Sequence, residues 1–341
     1  MNQPQRIPDA AKDRLKIMLL AKHAAKDGQR DAHDGNHAIY HHELRTTLEE
    51  IGLNVVAAQN YDALSSKPDV DFVIPLLNRG GFVHSEMLGP LQLTRHRVPF
   101  LGAAPIIRGL TDDKHLTKLV ARAKGVTTAD WKLYRVGDAP ITPPDFFAER
   151  LIVKPNASSA SWGIGLYDNW HDAVAKVRWL HDRGHDAIVE EWVPLIDIGV
   201  PVIAGDLGRP WILPPMIYAP DDPHKLRSYE AKRGLIASDE LDPLERVEDL
   251  QLVARLETAV EPLLEEFWPF DYGRFEFRFD PATGALSFME VNLSCNLWSK
   301  KTISRSARTL GLSHRDVVEN IVAHSLGRQR LIPTARVCPV Y

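Results

Sequence analysis

The sequence has little cysteine, no long apolar run and almost no net charge. Cys295 and Cys338 are its only cysteines, which excludes a disulfide framework and a cysteine-rich zinc site. The longest apolar runs, such as 17–21, are far shorter than the ~20 residues that span a bilayer, and residues 1–16 lack the apolar stretch of a secretory signal. The net charge of −4 argues against a dedicated nucleic-acid binder. We therefore expect a cytoplasmic protein with no membrane or nucleic-acid partner.

The length of 341 residues exceeds what one hydrophobic core usually organises, so two or three domains are expected. Strands are predicted at 15–20, 53–58 and 70–76, with an amphipathic helix at 37–51 between the first two. Strands that alternate with helices are typical of a parallel, doubly wound α/β sheet. We place this first domain at residues 1–104.

The next segment, residues 105–190, reads as a smaller α+β domain. Thr111 is predicted to cap a helix with Asp112 and Asp113 in its first turn, where the helix dipole favours negative charge, and Gly125 ends that helix. Short strands and one further helix follow.

Residues 191–341 are predicted to form a third domain. It contains a polar stretch at 221–242 that is too long for a simple connector and therefore predicts a functional lid. A long helix is predicted at 244–267, followed by a hairpin of two strands at 272–279 and 286–292.

This hairpin carries the strongest local signal. Because strand side chains alternate between faces, Arg274, Glu276 and Arg278 share one face, and Phe288, Glu290 and Asn292 share one face of the returning strand. Glu276 and Glu290 would then lie close together, an arrangement that is destabilising without compensation.

A divalent cation would offset that repulsion, since hard cations take carboxylate and amide oxygens. The pattern thus suggests an Mg²⁺ site formed by Glu276, Glu290 and Asn292, with Arg274 beside it to meet a transferred phosphate. The alternative is an exposed sheet face with ordinary Arg–Glu pairs.

Weaker patterns lie upstream. The small-residue loop at 155–163 follows Lys154 and would let backbone N–H groups approach an anion, although ordinary loops look similar. Lys114 stands in the first turn of a helix, where most lysines are simply solvated. An apolar strand runs into Glu190, Glu191 and Trp192, which suits either a base-binding linker or a strand end with exposed acids.

The order of these patterns resembles the ATP-grasp superfamily and, within it, the D-alanine–D-alanine ligases. The resemblance runs from about residue 71 to residue 326 and is most specific in its later motifs, Gly273-Arg274-Phe275-Glu276 and Met289-Glu290-Val291-Asn292. It implies a three-domain ATP-grasp fold with a Rossmann-like N-terminal domain, in a cytoplasmic and often dimeric protein.

The resemblance also implies roles for individual residues. Those implied to bind ATP are Lys114, Lys154, Ser161, Glu190, Glu191, Trp192, Val193, Asp197 and Lys232. Glu276, Glu290 and Asn292 would hold two Mg²⁺ ions, for which Mn²⁺ is a possible substitute. Arg274 and Lys232 would act on the transferred phosphate.

The substrate half departs from the family pattern. Asn296 replaces a glycine, Lys301 a serine and Arg233 a tyrosine, and residues 22–28 do not match the loop that handles the first D-alanine. Together with Lys300, these changes suggest an acidic or carboxylate-bearing substrate.

The resemblance implies an ATP-dependent carboxylate–amine ligase that forms an amide bond between small amino-acid-like substrates through an acyl phosphate. The alternatives are D-alanine–D-alanine ligase itself and a non-catalytic ATP-binding scaffold.

Overall fold

The computed structural model describes residues 3–77, 86–158, 161–192, 196–218 and 244–333. Three sheets organise these residues. Val193, Lys232, Arg233 and the predicted lid at 221–242 lie outside the described residues.

The first unit is built on a parallel sheet, as the alternation of strands and helices predicts. Its strands are β1 (Lys16–Leu20), β2 (Asn54–Ala58) and β3 (Phe72–Pro75), in the order β2-β1-β3. Its helices are α1 (Asp9–Arg14), α2 (His37–Ile51) and α3 (Leu88–His96). The prediction for α2 is confirmed, including its end at Gly52, whose φ of 100° is the left-handed conformation that glycine adopts most easily.

Two short helices connect this unit to the next: α4 (Pro105–Asp112) and α5 (Lys114–Ala123). The predicted cap at Thr111 is wrong, because Thr111 lies inside α4, which Pro105 begins. Asp113 is the true N-cap of α5, and its side chain accepts a hydrogen bond from the backbone N–H of Leu116 at 2.9 Å. Lys114 is therefore the first residue of α5.

The central unit is an antiparallel sheet covered by one helix, in agreement with the α+β prediction. Its elements are β4 (Trp131–Tyr134), β5 (Leu151–Pro155), β6 (Gly165–Tyr167), α6 (Trp170–His181) and β7 (Ala187–Glu191). The strand order is β4-β7-β5-β6, so β5 and β7 are neighbours. The predicted domain boundary at 104 falls just before α4 and the one at 190 falls within β7, and both stay predictions.

The C-terminal unit contains the largest sheet. Its strands are β8 (Ile196–Ala204), β9 (Pro210–Ile212), β10 (Met216–Tyr218), β11 (Leu244–Arg246), β12 (Tyr272–Phe279) and β13 (Leu286–Asn292). Its helices are α7 (Leu250–Phe267), α8 (Thr302–Arg308) and α9 (His314–Arg328). The predicted helix start at Leu244 is wrong, since residues 244–246 pair with β10 and α7 begins only after its N-cap, Asp249.

The predicted hairpin is confirmed in both strands, but its simple alternation is not. A β-bulge after Glu276 pairs Phe277 with Phe288 and leaves Met289 unpaired. Phe288 therefore enters the core against Phe277, with ring centroids 5.5 Å apart, instead of sharing a face with Glu290.

The first unit and the C-terminal helices share one hydrophobic core. That cluster includes Leu44 of α2, Ile303 of α8 and Val318 of α9. Helix α2 therefore packs against the C-terminal helices. Within the described ranges, no helix is both long and apolar enough to cross a membrane.

Candidate active site

Basic side chains surround one buried carboxylate between the central sheet and α5. Glu190 of β7 is 1% exposed. Lys154 of β5 donates to Glu190 Oε2 at 2.7 Å, and Lys118 Nζ lies 3.8 Å from the same oxygen. The pairing of β5 with β7 makes Lys154 and Glu190 diagonal neighbours, which positions the contact. Sequence analysis named Lys154 and Glu190 separately, without predicting their contact, and missed Lys118, although it lies one helical turn after Lys114 on α5.

The charged groups of this cluster shift one another's pKa values. Burial alone raises the pKa of Glu190, but the positive charges of Lys118, Lys154 and Lys114 hold it below its ordinary value. Burial lowers the pKa of Lys118 to about 8, in spite of the nearby Glu190 carboxylate. The Lys118 ammonium also donates to Thr128 Oγ1 at 2.7 Å and to the carbonyl of Ala129 at 3.1 Å. Glu190 and Lys118 are therefore both charged at neutral pH.

A pocket opens beside this cluster. It encloses about 300 Å³ of space, part of it continuous with solvent, and is lined by Ala129, Ile152, Glu190, Glu191, Trp192, Arg278, Ser287 and Met289. In the part of the chain that the structure describes, three buried polar atoms of the lining residues make no hydrogen bond: Glu190 Oε1, an acceptor, Trp192 Nε1, a donor, and the Ser287 hydroxyl, which can do either. Because unmade buried hydrogen bonds are costly, these atoms suit a planar ligand with both donors and acceptors.

Arg278 forms one wall of the pocket. Its guanidinium stacks 4.1 Å from the centre of the Trp192 ring and donates to Asp197 Oδ1 at 2.9 Å. Arg278 belongs to β12, Asp197 to β8, and Trp192 directly follows β7. This wall therefore joins the C-terminal and central sheets. Sequence analysis placed Arg278 on the charged face of its strand but gave it no role.

The hairpin brings the predicted metal ligands together. Glu276 of β12 is directly opposite Glu290 of β13, and Asn292 is opposite Arg274. Each glutamate holds one cationic group: Arg274 binds Glu276, with Nε at 3.1 Å, and Lys114 Nζ lies 3.3 Å from Glu290 Oε2. The two carboxylates and the Asn292 amide offer the oxygen donors that a hard divalent cation takes.

Arg274 is held from several sides. Burial lowers its pKa, but Glu276 outweighs that effect and the pKa stays well above its ordinary value. Its guanidinium donates to the Tyr218 hydroxyl at 3.0 Å and to Thr302 Oγ1 at 3.2 Å. Gly199, opposite Glu276 on β8, leaves room for this side chain, because a Cβ there would lie 3.0 Å from Arg274 Cδ. No motif in the sequence pointed to Tyr218 or Thr302.

The loop after β5 is tied to the start of α5. The Lys114 backbone N–H donates to the Asn156 carbonyl at 3.0 Å, and Lys114 Nζ donates to the Ser158 carbonyl at 3.3 Å. Ser161, beyond the undescribed residues 159–160, is half-buried and has a φ of 61°. The Lys114 side chain therefore connects this loop to Glu290 of the hairpin.

Three of the four predicted substrate residues, Asn296, Lys300 and Lys301, lie on one connecting segment, 293–301, between β13 and α8, which we name the substrate loop after that prediction. Asn296 is half-buried, Lys300 lies 5.5 Å above the Trp298 ring, and Lys301 is the N-cap position of α8. Cys295 is buried, and burial raises its pKa to about 11, which leaves the thiol protonated at neutral pH.

A second cluster of potential metal ligands stands apart from this site. His23, Asp31 and Asp34 lie close together after β1, a grouping that the histidine spacing did not reveal. Lys26 Nζ lies 2.6 Å from Asp31 Oδ2, and Lys22 pairs with Asp34. The two lysines already balance the two carboxylates.

Sequence and structure comparisons agree on what this chain is similar to. It is 25% identical over 259 residues to a D-alanine–D-alanine ligase of Idiomarina loihiensis, which covers 75% of this chain and 80% of that one. It is 22% identical over 312 residues to D-alanine–D-alanine ligase A of Bacillus cereus, with coverage of 91% and 97%. No protein-family model matches the chain.

A solved structure of D-alanine–D-alanine ligase from Bacillus anthracis, complexed with ATP, superimposes with a TM-score of 0.70 at 16% identity. It covers 93% of this chain, and this chain covers 99% of it. The chain thus has the ATP-grasp fold of the D-alanine–D-alanine ligases and resembles them along most of its length.

Proposed function

We propose that this protein is an ATP-dependent carboxylate–amine ligase that forms an amide bond through an acyl phosphate. The observation that carries the proposal is the placement of Glu276, Glu290 and Asn292 on paired strands, with Lys114 bound to Glu290 and Arg274 bound to Glu276. A scaffold that only bound a nucleotide would have no use for this set of carboxylates and cations.

The pocket would hold the base and ribose of ATP. Glu190 Oε1 would accept a hydrogen bond from the exocyclic amine of adenine, and Trp192 would provide a wall for the ring. Glu191 and Val193 belong to the same base-binding segment. Asp197 stands where a ribose hydroxyl would be met.

The phosphates would meet the lysines on the far side of the pocket. Lys114 and Lys154, with Ser161 in the adjacent loop, would bind them, and Lys232 would reach them from the polar stretch. Glu276, Glu290 and Asn292 would hold two Mg²⁺ ions, or Mn²⁺ in their place, which neutralise the charge on the transferred phosphate.

The chemistry requires activation of a carboxylate, whose own oxygen is a poor leaving group. The carboxylate attacks the γ-phosphorus, the bond to the β,γ-bridging oxygen breaks, and ADP leaves. An amine then attacks the acyl carbon of the acyl phosphate, and inorganic phosphate departs with loss of the amine proton. Arg274 would stabilise the transferred phosphate and the oxyanion, because positioning and charge neutralisation dominate such transfers.

The substrate loop supports an acidic or carboxylate-bearing substrate. Lys300 and Lys301 are consecutive residues at the end of this loop, and Arg233 belongs to the polar stretch at 221–242. Two cations in succession favour a substrate with carboxylate charge beyond that of D-alanine, and Asn296 changes the side chain beside the reacting centre.

The test is a screen of L- and D-amino acids in pairs, with ATP and Mg²⁺, read by mass spectrometry and phosphate release. We expect a condensation product together with ADP and phosphate in equal amounts. Binding of ATP without turnover across the whole panel would contradict a ligase and favour the scaffold.

The names of the relatives favour one specific alternative, D-alanine–D-alanine ligase of cell-wall synthesis. Incubation with D-alanine and ATP distinguishes it. D-alanyl-D-alanine would form only under this alternative, whereas our reading of Asn296, Lys300 and Lys301 predicts a different product.

A further inference from the structure

Helix α2 of the first unit holds the substrate loop through two side chains. Glu43 Oε2 accepts a hydrogen bond from Trp298 Nε1 at 3.0 Å, and Glu43 Oε1 accepts one from the backbone N–H of Ser299 at 2.9 Å. Tyr40, three residues earlier on the same helix face, accepts the backbone N–H of Leu297 at 3.0 Å. Three consecutive residues of the loop are thus bonded to one helix.

The Tyr40 contact is shielded from water, and the two Glu43 contacts are partly shielded, since the Glu43 side chain is 31% exposed. Tyr40 is 3% exposed, Leu297 1% and Trp298 6%. Hydrogen bonds to an ionised carboxylate are stronger than neutral ones, and shielding strengthens them further. The backbone at 297–299 is consequently fixed in position relative to α2.

Glu43 also connects to the helices that follow the loop. His314 Nε2, at the start of α9, lies 3.6 Å from Glu43 Oε1, and His314 Nδ1 is bonded to Ser304 Oγ of α8 at 2.8 Å. The carboxylate therefore bonds to the loop and lies beside His314 of α9, which in turn is bonded to α8.

The near end of the loop has its own anchor. Ser294 Oγ donates to Glu86 Oε2 at 2.8 Å. Asn296 lies between this anchor and Leu297, whereas Lys300 and Lys301 follow Ser299 directly. The fixed points thus lie on both sides of Asn296 and directly before Lys300 and Lys301.

We propose that Glu43 is a positioning residue for the acceptor amine: it sets the substrate loop so that Asn296, Lys300 and Lys301 present a fixed site. The inference rests on the proposed function. It assigns the first unit, through α2, an indirect part in binding the second substrate. Glu43 acts through the loop and touches neither ATP nor the reacting atoms.

The test compares Glu43→Gln with Glu50→Gln, an exposed position on the same helix. Glutamine keeps only one acceptor oxygen, so an NH₂ group faces either Trp298 Nε1 or the Ser299 N–H. Loss of one charged hydrogen bond, ~1.5 kcal/mol, corresponds to about tenfold. We expect about tenfold faster amide hydrogen exchange in peptides covering 297–299, measured with ATP and Mg²⁺ present.

Kinetics of the amino-acid pair found in the screen supply the second readout. Glu43→Gln should raise the KM for the amine about tenfold and leave the KM for ATP within about twofold, while Glu50→Gln changes neither. Glu43→Asp, which keeps both oxygens, should recover part of the loss. Faster exchange with no change in the amine KM, or equal changes in both KM values, would overturn the positioning role.

The two proposals fail separately. If no amino-acid pair is turned over but exchange at 297–299 increases only in Glu43→Gln, the proposed function is wrong and the anchoring by α2 stands. If exchange is unchanged, the positioning role is wrong whether or not the protein is a ligase.

Discussion

The two sides of the candidate active site are built differently. On the nucleotide side, Lys154, Glu190, Glu276 and Glu290 all stand on paired strands. On the acceptor side, the candidate residues stand on the substrate loop, which is anchored by side chains from elsewhere. Strand pairing fixes side chains through many backbone hydrogen bonds, whereas a loop tolerates replacement. This difference explains why the strand residues implied for ATP and metal match the family pattern, while the loop residues implied for the substrate depart from it.

The largest expected effect is on the metal site. Glu290→Gln should lower kcat at least 100-fold, since it removes a charged ligand beside the transferred phosphate. Mg²⁺-dependent phosphate release measures it, with Glu257→Gln on the exposed face of α7 as the control. Full activity in Glu290→Gln would show that the hairpin carboxylates are not metal ligands.

The second effect is on ATP affinity. Lys154→Met removes the 2.7 Å partner of Glu190 and leaves that buried carboxylate with weaker compensation. We expect ATP to bind at least tenfold more weakly and the protein to lose roughly 3 kcal/mol of stability. Calorimetric ATP titration and urea unfolding measure these, with Lys132→Met as the control, since Lys132 binds Thr142. An unchanged ATP affinity would remove Lys154 from the site.

The third effect concerns pH and the buried Lys118. Its pKa of about 8 in the folded protein lies below the ordinary 10.5, so the unfolded chain binds more protons between these values. Stability from this group is therefore lowest below pH 8 and rises as the pH increases toward 10.5. From pH 7.5 to pH 10 the native protein should gain roughly 2 kcal/mol relative to Lys118→Met, measured by urea unfolding. If the free energies of unfolding of the two proteins changed with pH in parallel, Lys118 would not lose its proton near pH 8 in the folded protein.

The smallest effect is at the pocket wall. Arg278→Lys keeps the charge but loses the planar stacking on Trp192, where the guanidinium lies 4.1 Å from the ring centre. We expect the KM for ATP to rise about threefold to tenfold, with kcat nearly unchanged. Steady-state kinetics with varied ATP checks this. An effect confined to the amine KM would place Arg278 on the acceptor side.

Much of the nucleotide side could be predicted because its signals are local. The two strands of the hairpin follow from their own alternation and their turn, and the pairing of Glu276 with Glu290 follows from both. The bulge that turns Phe288 inward could not be predicted, since packing against Phe277 decides it and a single extra residue shifts the register.

The predicted start of a helix was wrong in two places. At the first, two capping signals compete. Thr111 and Asp113 are both good caps, and the sequence does not say that Pro105 begins a separate helix containing Thr111. At residue 244 the helical pattern extended backwards into a short strand that exists only because β10 pairs with it. Tertiary contacts outweigh local preference in both cases.

The acceptor side was the least predictable. Nothing in the local sequence around Tyr40 and Glu43 indicates that they bond residues more than 250 positions away. Tyr218 and Thr302 meet Arg274 in the same way, through the fold alone.

The central claim, activation of a carboxylate by phosphorylation, has one direct test. The carboxylate substrate found in the screen is labelled with ¹⁸O in both oxygens and turned over with ATP and the amine. An acyl phosphate requires that one labelled oxygen pass from the substrate to inorganic phosphate. We predict that the released phosphate carries a single ¹⁸O. Unlabelled phosphate formed together with the same condensation product would contradict an acyl-phosphate intermediate.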